Sequence, residues 1–204
     1  VTQTQSFLTS LVVVIALVYF LLASGDLFLR KLVKVLPNFT EKKRAVEIFR
    51  RVEDDISHYL LTATLINAGL GTVTALALYL LGMPNVMLGG VMVALLNFIP
   101  YLGAVVNFII LAVVAILTFD DLSHALLVPS VFLILTTLEG QFITPTILGR
   151  SLTLSPVVIF IGLIFWMWMW GIAGAILAVP ILAVIEIFCD SFEFLAPIGE
   201  FLGR

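Results

Sequence analysis

Apolar residues dominate from Phe7 to Ala23, with Thr9 and Ser10 the polar exceptions, and Ser24, Gly25 and Asp26 then break the run. As a helix it is about 26 Å long. A bilayer core is about 30 Å thick and must be crossed with every backbone polar group bonded internally, so the run spans once flanking residues share the crossing. From Arg30 to Tyr59 the chain is charged, and Ala45, Ile48, Phe49, Val52, Ile56 and Tyr59 recur at a helical period. Asn38 and Glu41 stand at capping-box spacing after Pro37. This pattern predicts an amphipathic helix outside the hydrocarbon. Leu60 to Leu81 is a second long apolar stretch, stopped by Gly82 with Pro84 just beyond. Thr64, Ala68, Gly71 and Ala75 give it a face of small residues, suited to close helix contact in lipid.

Two broken apolar pairs follow. Asn85 to Phe98 makes about 21 Å of helix and Gly103 to Thr118 about 24 Å, with Ile99-Pro100-Tyr101-Leu102-Gly103 between and across their junction. Pro100 has no N–H and biases Ile99 away from the helical region, while Gly103 tolerates the backbone needed to restart. A helical hairpin, re-entrant or fully spanning, fits better than one straight helix. Asp120 and Asp121 mark a water-exposed turn, and Leu122 to Leu138 is a further span. Glu139 to Ser155 reads as a Gly/Pro/Thr-containing connection, and Pro156–Trp170 with Gly171–Phe188 forms the second pair. Pro84 precedes Gly103-Ala104 by 19 residues and Pro156 precedes Gly174-Ala175 by 18. A long helix plus a hairpin makes one net crossing, so two such units would be oppositely oriented, as in inverted-repeat transporters. Gly and Pro landmarks also recur by chance in apolar sequence, so the outline permits that repeat without requiring it.

Composition makes the bilayer the relevant solvent. Of 204 residues 62% are hydrophobic and 11% charged, with mean hydropathy +1.22, against about 45–50% and about 25% in soluble domains. The predicted fold class is therefore all-α, a polytopic membrane helix bundle with two broken or re-entrant hairpins. Eight of the ten Lys/Arg lie between Arg30 and Arg51, and basic loops between spans stay cytoplasmic. From that start, Asp120 and Asp121 fall outside the cell, and Arg150 and Arg204 return inside. The expected organisation is a transmembrane helix over 1–25, a cytoplasmic amphipathic helix over 26–59, a transmembrane core over 60–190 with candidate repeat units 60–118 and 122–188, and a cytoplasmic tail over 191–204. The charges of the amphipathic helix read as a solvated face, or as a site for a partner or anionic lipid. The chain begins at Val1 with no basic n-region or small-residue cleavage motif, so the opening run does not read as a signal peptide, and the chain is expected to be part of something longer.

Candidate chemistry is sparse. Glu139 follows seventeen residues of predicted membrane helix and precedes Gly140-Gln141-Phe142-Ile143-Thr144-Pro145, near an expected helix end. A carboxylate in hydrocarbon is costly unless paired, solvated or protonated, and such residues mark ion or substrate paths; the alternative is an interfacial residue capping nearby backbone. On the first reading Glu139 takes up and releases a proton during transport. Asn97 is the second candidate, because its buried amide needs partners and the break at Pro100 frees backbone groups; a structural hydrogen bond holding the turn is the alternative. Asn67 and Asn107 are expected to hydrogen-bond between helices. Trp166, Trp168 and Trp170 are expected to anchor an interface or fill packing, and Glu186, Asp190, Glu193 and Glu200 to mark exit into water. Cys189 is the one cysteine, so no internal disulfide forms. No Cys/His spacing suits a metal, with His58 and His124 apart at helix ends. No Walker A loop, GxGxxG, HExxH or GxSxG occurs, so neither a cofactor nor recognisable hydrolysis is expected. Ser24-Gly25 at a helix end has no base nearby in sequence, which leaves an intramembrane protease unsupported.

Asn97-Phe98-Ile99-Pro100-Tyr101-Leu102-Gly103, then Glu139-Gly140-Gln141-Phe142-Ile143-Thr144-Pro145-Thr146-Ile147-Leu148-Gly149, then Leu154-Ser155-Pro156 and Gly171-Ile172-Ala173-Gly174-Ala175 running to Ala178-Val179-Pro180, resemble the autoinducer-2 exporter family. The resemblance covers essentially the whole chain, although family members carry further membrane segments ahead of the region matching residue 1. It implies export of a small polar solute such as autoinducer-2 by an oligomeric, ion-driven permease in the cytoplasmic membrane of a prokaryote; some relatives are described instead as sodium or lithium/proton antiporters. The implied partners are the lipid bilayer, a small polar solute with H⁺ or Na⁺, and further copies of the chain, not nucleic acid. The expected path is formed by Asn97, Pro100 and Tyr101 from one turn facing Glu139, Thr144 and Pro145, with Gln141 in the same segment. A non-transporting membrane scaffold is a further class. It would tolerate substitution of Glu139 and Asn97 and lose function on charge reversal of Lys42, Lys43 and Arg44.

Overall fold

The computed structural model describes residues 2–148 and 155–191, so Arg150, Glu193, Glu200, Arg204 and the expected tail after Ser191 lie outside the described residues. The described elements are all helical: α1 Thr2–Val35, α2 Phe39–Leu80, α3 Val86–Leu96, α4 Leu102–Thr118, α5 Leu122–Leu138, a π-helical turn Glu139–Ile143, α6 Thr144–Leu148, α7 Pro156–Trp170 and α8 Ile172–Ser191. Three helical stretches are long and apolar enough to cross a membrane, Phe39–Leu80, Leu122–Ile147 and Ile172–Cys189, while α3, α4 and α7 are shorter and equally apolar. The chain is thus an all-α polytopic membrane protein. Its residues fall into two compact units, Val1–Glu53 and Asp54–Arg204.

In the first unit, α1 does not stop where the polar residues predict. It passes through Ser24, Gly25 and Asp26 and ends at Val35. One glycine costs about 1 kcal/mol relative to alanine in a helix interior, which the strong helix formers on both sides outweigh. α2 opens after Asn38, whose side-chain amide donates to Glu41 Oε1 at 3.2 Å, so the two residues pair with each other rather than each reaching a backbone amide. Lys43 and Glu47 form an exposed i,i+4 ion pair at 3.6 Å. The boundary expected at Tyr59 and Leu60 is no break in the helix, because no Gly or Pro occurs between Phe39 and Ala68 to release the backbone.

The second unit is organised around α3–α4 and α7–α8, two helical hairpins. Leu70 and Leu78 of α2, Val93 of α3, Leu111 and Ala115 of α4, and Ala125, Val128 and Phe132 of α5 form its main core. The small-residue face of α2 acts only in part. A methyl on Gly71 would lie 2.5 Å from the Gly90 carbonyl and 2.8 Å from Ala94 Cβ, and one on Gly90 would lie 2.7 Å from Ala75 Cβ. Gly71 and Ala75 therefore seat α3 at backbone contact, whereas Thr64 and Ala68, a turn or more earlier, are exposed. Asn107 is fully buried, its amide 3.5 Å from the Val93 carbonyl. The side-chain oxygens of Asn107 and Thr74 have no hydrogen-bond partner among the described residues.

The hairpins share one device. At Gly103 a methyl would strike the Leu96 carbonyl oxygen and lie 2.7 Å from its carbon; at Gly174 it would strike the Trp166 carbonyl oxygen and lie 2.6 Å from its carbon. Each glycine lets the second helix start against the last turn of the first. The turns differ in backbone: Tyr101 takes φ 61°, ψ −52°, and Gly171 takes φ 65°, ψ −142°, a region open to glycine alone. Ile99 and Leu102 from the first turn pack with Trp166 on Leu163, Ala175 and Ala178 of the second hairpin. Trp166 also stacks on Trp170 at 5.1 Å, while Trp168 is 82% exposed. Glu186, expected in water, is buried at 7% exposure on α8, because the helix that carries it continues to Ser191 with Ala183 and Ile187 also turned inward.

Asp121 caps α5, accepting from the backbone N–H of Ser123 and His124 at 3.2 Å each. His124 meets the Leu81 carbonyl through Nε2 at 2.9 Å and the Phe119 ring edge-on at 4.3 Å, tying the start of α5 to the end of α2. Asp121→Ala is expected to lower stability by about 1 kcal/mol, and Asp121→Asn by less, in thermal unfolding of the detergent-solubilised protein.

Candidate functional site

Three segments of the second unit converge on one cavity of 430 Å³. Tyr59, Ala63, Ile66 and Asn67 come from α2, at the i, i+4, i+7, i+8 spacing of a single helix face. Asn97, Phe98, Pro100, Tyr101 and Ala104 come from the α3–α4 turn, and Thr136, Thr137, Glu139, Gly140 and Thr144 from the α5–α6 region.

The last group depends on a change of helical register. The expected connection after Leu138 is instead continuous helix: α5 passes through the π-helical turn into α6, giving one apolar stretch from Leu122 to Ile147 despite Gly140 and Pro145. The Thr144 N–H bonds the Glu139 carbonyl, five residues back. In a regular α-helix residues five apart differ by about 140° around the axis; closing the turn i to i+5 brings them nearly into line. The Thr144 hydroxyl accordingly donates to Glu139 Oε1. Pro145 sits where a missing N–H is tolerated, in the first turn after the register change.

Glu139 is 9% exposed, inside a long helix rather than at a helix end. Asn97 Nδ2 donates to Asn67 Oδ1 at 2.9 Å, joining the α3–α4 turn to α2. The same bond is the interhelical contact expected of Asn67. Asn97→Ala is expected to destabilise the folded protein by about 1–2 kcal/mol by orphaning the buried Asn67 amide. Removing both amides should cost less than the two single losses summed, as a thermal-unfolding double-mutant cycle would show.

Of the path residues expected from sequence, the fold brings Asn97, Pro100, Tyr101, Glu139 and Thr144 to this cavity, whereas Gln141 and Pro145 are exposed and outside its lining. Tyr59, Thr136 and Thr137 were not anticipated there. The adjacent threonines two residues before Glu139, polar in an apolar span, are the signal that marks them.

A second cavity, of 410 Å³, lies between α2 and the α5–α6 stretch and is almost wholly apolar, lined by Leu65, Gly69, Leu70, Val73, Leu135, Leu138, Ile143 and Ile147 among others. Ile66 and Glu139 border both cavities. Among the described residues, no Lys, Arg or His lines either one, and no group of three or more His, Cys, Asp or Glu is placed to hold a metal ion.

The sequence profile described as AI-2E family transporter matches residues 1–193. AI-2 transport protein TqsA of Escherichia coli (strain K12) is 31% identical over 186 residues, 91% of this chain and 53% of that protein. YhhT of the same organism is 30% identical over 148 residues, 72% of this chain and 42% of that protein. YrrI of Bacillus subtilis (strain 168) is 31% identical over 176 residues, 86% of this chain and 49% of that protein. The chain spans about half the length of the curated relatives it matches. A match over nearly the whole chain, on a helical membrane scaffold, places this protein in the AI-2E transporter family.

Proposed function

We propose that this chain forms the membrane core of an ion-coupled exporter of a small polar solute, in the cytoplasmic membrane of a prokaryote and as a homo-oligomer. The observation that carries the reading is Glu139, a buried carboxylate on a polar cavity between membrane helices, with no basic residue in the lining among the described residues. Ionisable groups held in that way serve ion and substrate paths. The units 60–118 and 122–188, each a long helix followed by a re-entrant hairpin, act as the two halves of an inverted repeat, and Glu139 exchanges a proton as solute enters and leaves. The basic first half of α2 lies on the cytoplasmic side, as the positive-inside rule favours. Autoinducer-2 is the first solute to try, because TqsA is named an AI-2 transport protein.

The deciding experiment places the complete parent protein in proteoliposomes and follows labelled autoinducer-2 and Na⁺/H⁺ exchange in one preparation, with Glu139→Ala as control. Solute flux that the substitution abolishes supports the exporter. Cation-dependent proton flux without solute movement selects a Na⁺(Li⁺)/H⁺ antiporter built on the same carboxylate. Neither flux, for autoinducer-2 or other small polar solutes, would remove the transport reading.

A further inference from the structure

The elbow between α1 and α2, inside the first compact unit, concentrates the positive charge of the chain. From Arg30 to Arg44 it carries six Lys/Arg against one carboxylate, Glu41, in a chain of net charge −3. Glu41 accepts from the Asn38 amide. Lys43 and Glu47 stand 3.6 Å apart with both side chains well exposed, a contact too weak to commit the lysine. Arg30, Lys31 and Lys34 are exposed and Lys42 is half-buried, with Lys31 and Lys34 on one face of α1 at i,i+3 spacing.

Apolar groups stand among these cations. Val35 and Phe39, on either side of Leu36-Pro37-Asn38, are 84% and 82% exposed, and side chains of that size gain by leaving water. Earlier in α1, Val12, Ile15, Leu17, Tyr19 and Phe20 are each more than half exposed, as on a lipid-facing helix, and apolar residues continue to Leu29, directly before Arg30. A helix rises about 9 Å from Leu29 to Val35. That rise keeps the elbow close to the headgroup layer and within about one Debye length of its charge. About four to eight cations immediately beyond a membrane helix attract anionic lipid, and apolar side chains beside them add burial at the acyl boundary. We propose that the α1–α2 elbow docks on anionic lipid of the cytoplasmic leaflet, with Lys31, Lys34, Lys42 and Lys43 at the headgroup phosphates and Val35 and Phe39 at the acyl boundary. The assignment goes beyond the transport reading and needs from it only the cytoplasmic placement of the basic segment.

The complete parent protein is equilibrated in detergent with equal amounts of dioleoyl phosphatidylglycerol and dioleoyl phosphatidylcholine and repurified, and the lipid it retains is counted by mass spectrometry. Phosphatidylglycerol is expected to exceed phosphatidylcholine by about fivefold or more at about 0.15 M salt, and the two to approach equality at about 1 M. Replacing Lys31, Lys34, Lys42 and Lys43 together by Gln should bring the two lipids within about twofold of each other, whereas Arg at the same four positions should keep the preference. Val35→Ser with Phe39→Ser should lower phosphatidylglycerol retention by about twofold or more. Thermal unfolding in lipid-free detergent separates a lost site from a lost fold, and the salt series tests the charge contribution without any substitution. A preference that survives the Gln variant or high salt would overturn the assignment, as would retention unchanged by the two serines. Displacement of the lipid by about 10 mM inorganic phosphate would mark a soluble-anion site instead. Equal retention of the two lipids would leave the basic elbow to an acidic protein partner and equally overturn the assignment. None of these readouts depends on solute flux, so failure here and failure of the transport reading are distinguishable.

Discussion

Solute efflux from proteoliposomes of the complete parent protein is expected to fall by about ten- to a hundredfold when Glu139 is replaced by Gln, and the residual flux to lose its dependence on pH. The substitution keeps volume and a hydrogen-bonding oxygen, so Thr144 still has an acceptor and the π-helical turn keeps its backbone bond to Glu139's carbonyl. On the proposed coupling role, what disappears is the negative charge and with it the proton exchange. Hydrogen bonds to charged groups are worth about 1.5–3 kcal/mol, and about 1.4 kcal/mol is a factor of ten in an equilibrium or rate. A purely structural Glu139 gives a different result: flux and pH profile would follow the amount of folded protein, and Gln would behave nearly as Glu. Thr144→Val isolates the neighbour. It removes the donor while leaving the carboxylate, so its flux should drop by less than that of Glu139→Gln, with pH dependence retained. Wild-type flux and an unchanged pH profile in Glu139→Gln would rule out a coupling role.

Gly103→Ala is expected to cost about 3 kcal/mol or more of stability and to leave little folded protein after detergent extraction, measured by thermal unfolding and size-exclusion profile. The added methyl would overlap the Leu96 carbonyl oxygen and stand 3.1 Å from Asn97 Cα, and backbone atoms at the end of a helix cannot rotate away as a side chain can. Relief requires separating α3 from α4. That movement would withdraw Asn97 from Asn67 and Tyr101 from the cavity, so any surviving protein should also transport poorly. Gly174→Ala should behave similarly against Trp166 and the Trp170 side chain. Gly69→Ala is the contrasting control: its methyl would meet nothing within 4 Å, and alanine's helix propensity should leave stability unchanged or slightly raised.

Several features of the cavity are legible in the sequence alone. Pro100 and Gly103 mark the first hairpin because one cannot donate an N–H and the other has no side chain, which are local properties. Glu139 stands out because a carboxylate at the end of an apolar run is anomalous in any arrangement. The helix after Leu138 departs from the sequence pattern for an equally local reason: Gly140 and Pro145 usually end helices in water, whereas in lipid an unpaired backbone is costly enough that the chain stays helical through a π-helical turn. Ser24-Gly25-Asp26 does not stop α1 for a different reason, that the helix formers on either side outweigh one glycine. The burial of Glu186 could not be read from periodicity, since it depends on which face of α8 the fold turns inward.

By itself the sequence determined the all-α membrane class, the two broken hairpins and the residue types available for chemistry, because span length, backbone breakers and isolated polar groups act through the chain's own covalent and solvation properties. Only the tertiary structure decided that Asn67 meets Asn97 across 30 residues, that Thr144 rather than Gln141 shares the cavity with Glu139, and that Tyr59 and Tyr101 stand on the same space. Those pairings depend on the i to i+5 register of one turn and on the close seating of α3 on Gly71. Both are consequences of packing between segments, and a linear pattern of apolar and polar positions carries no record of them.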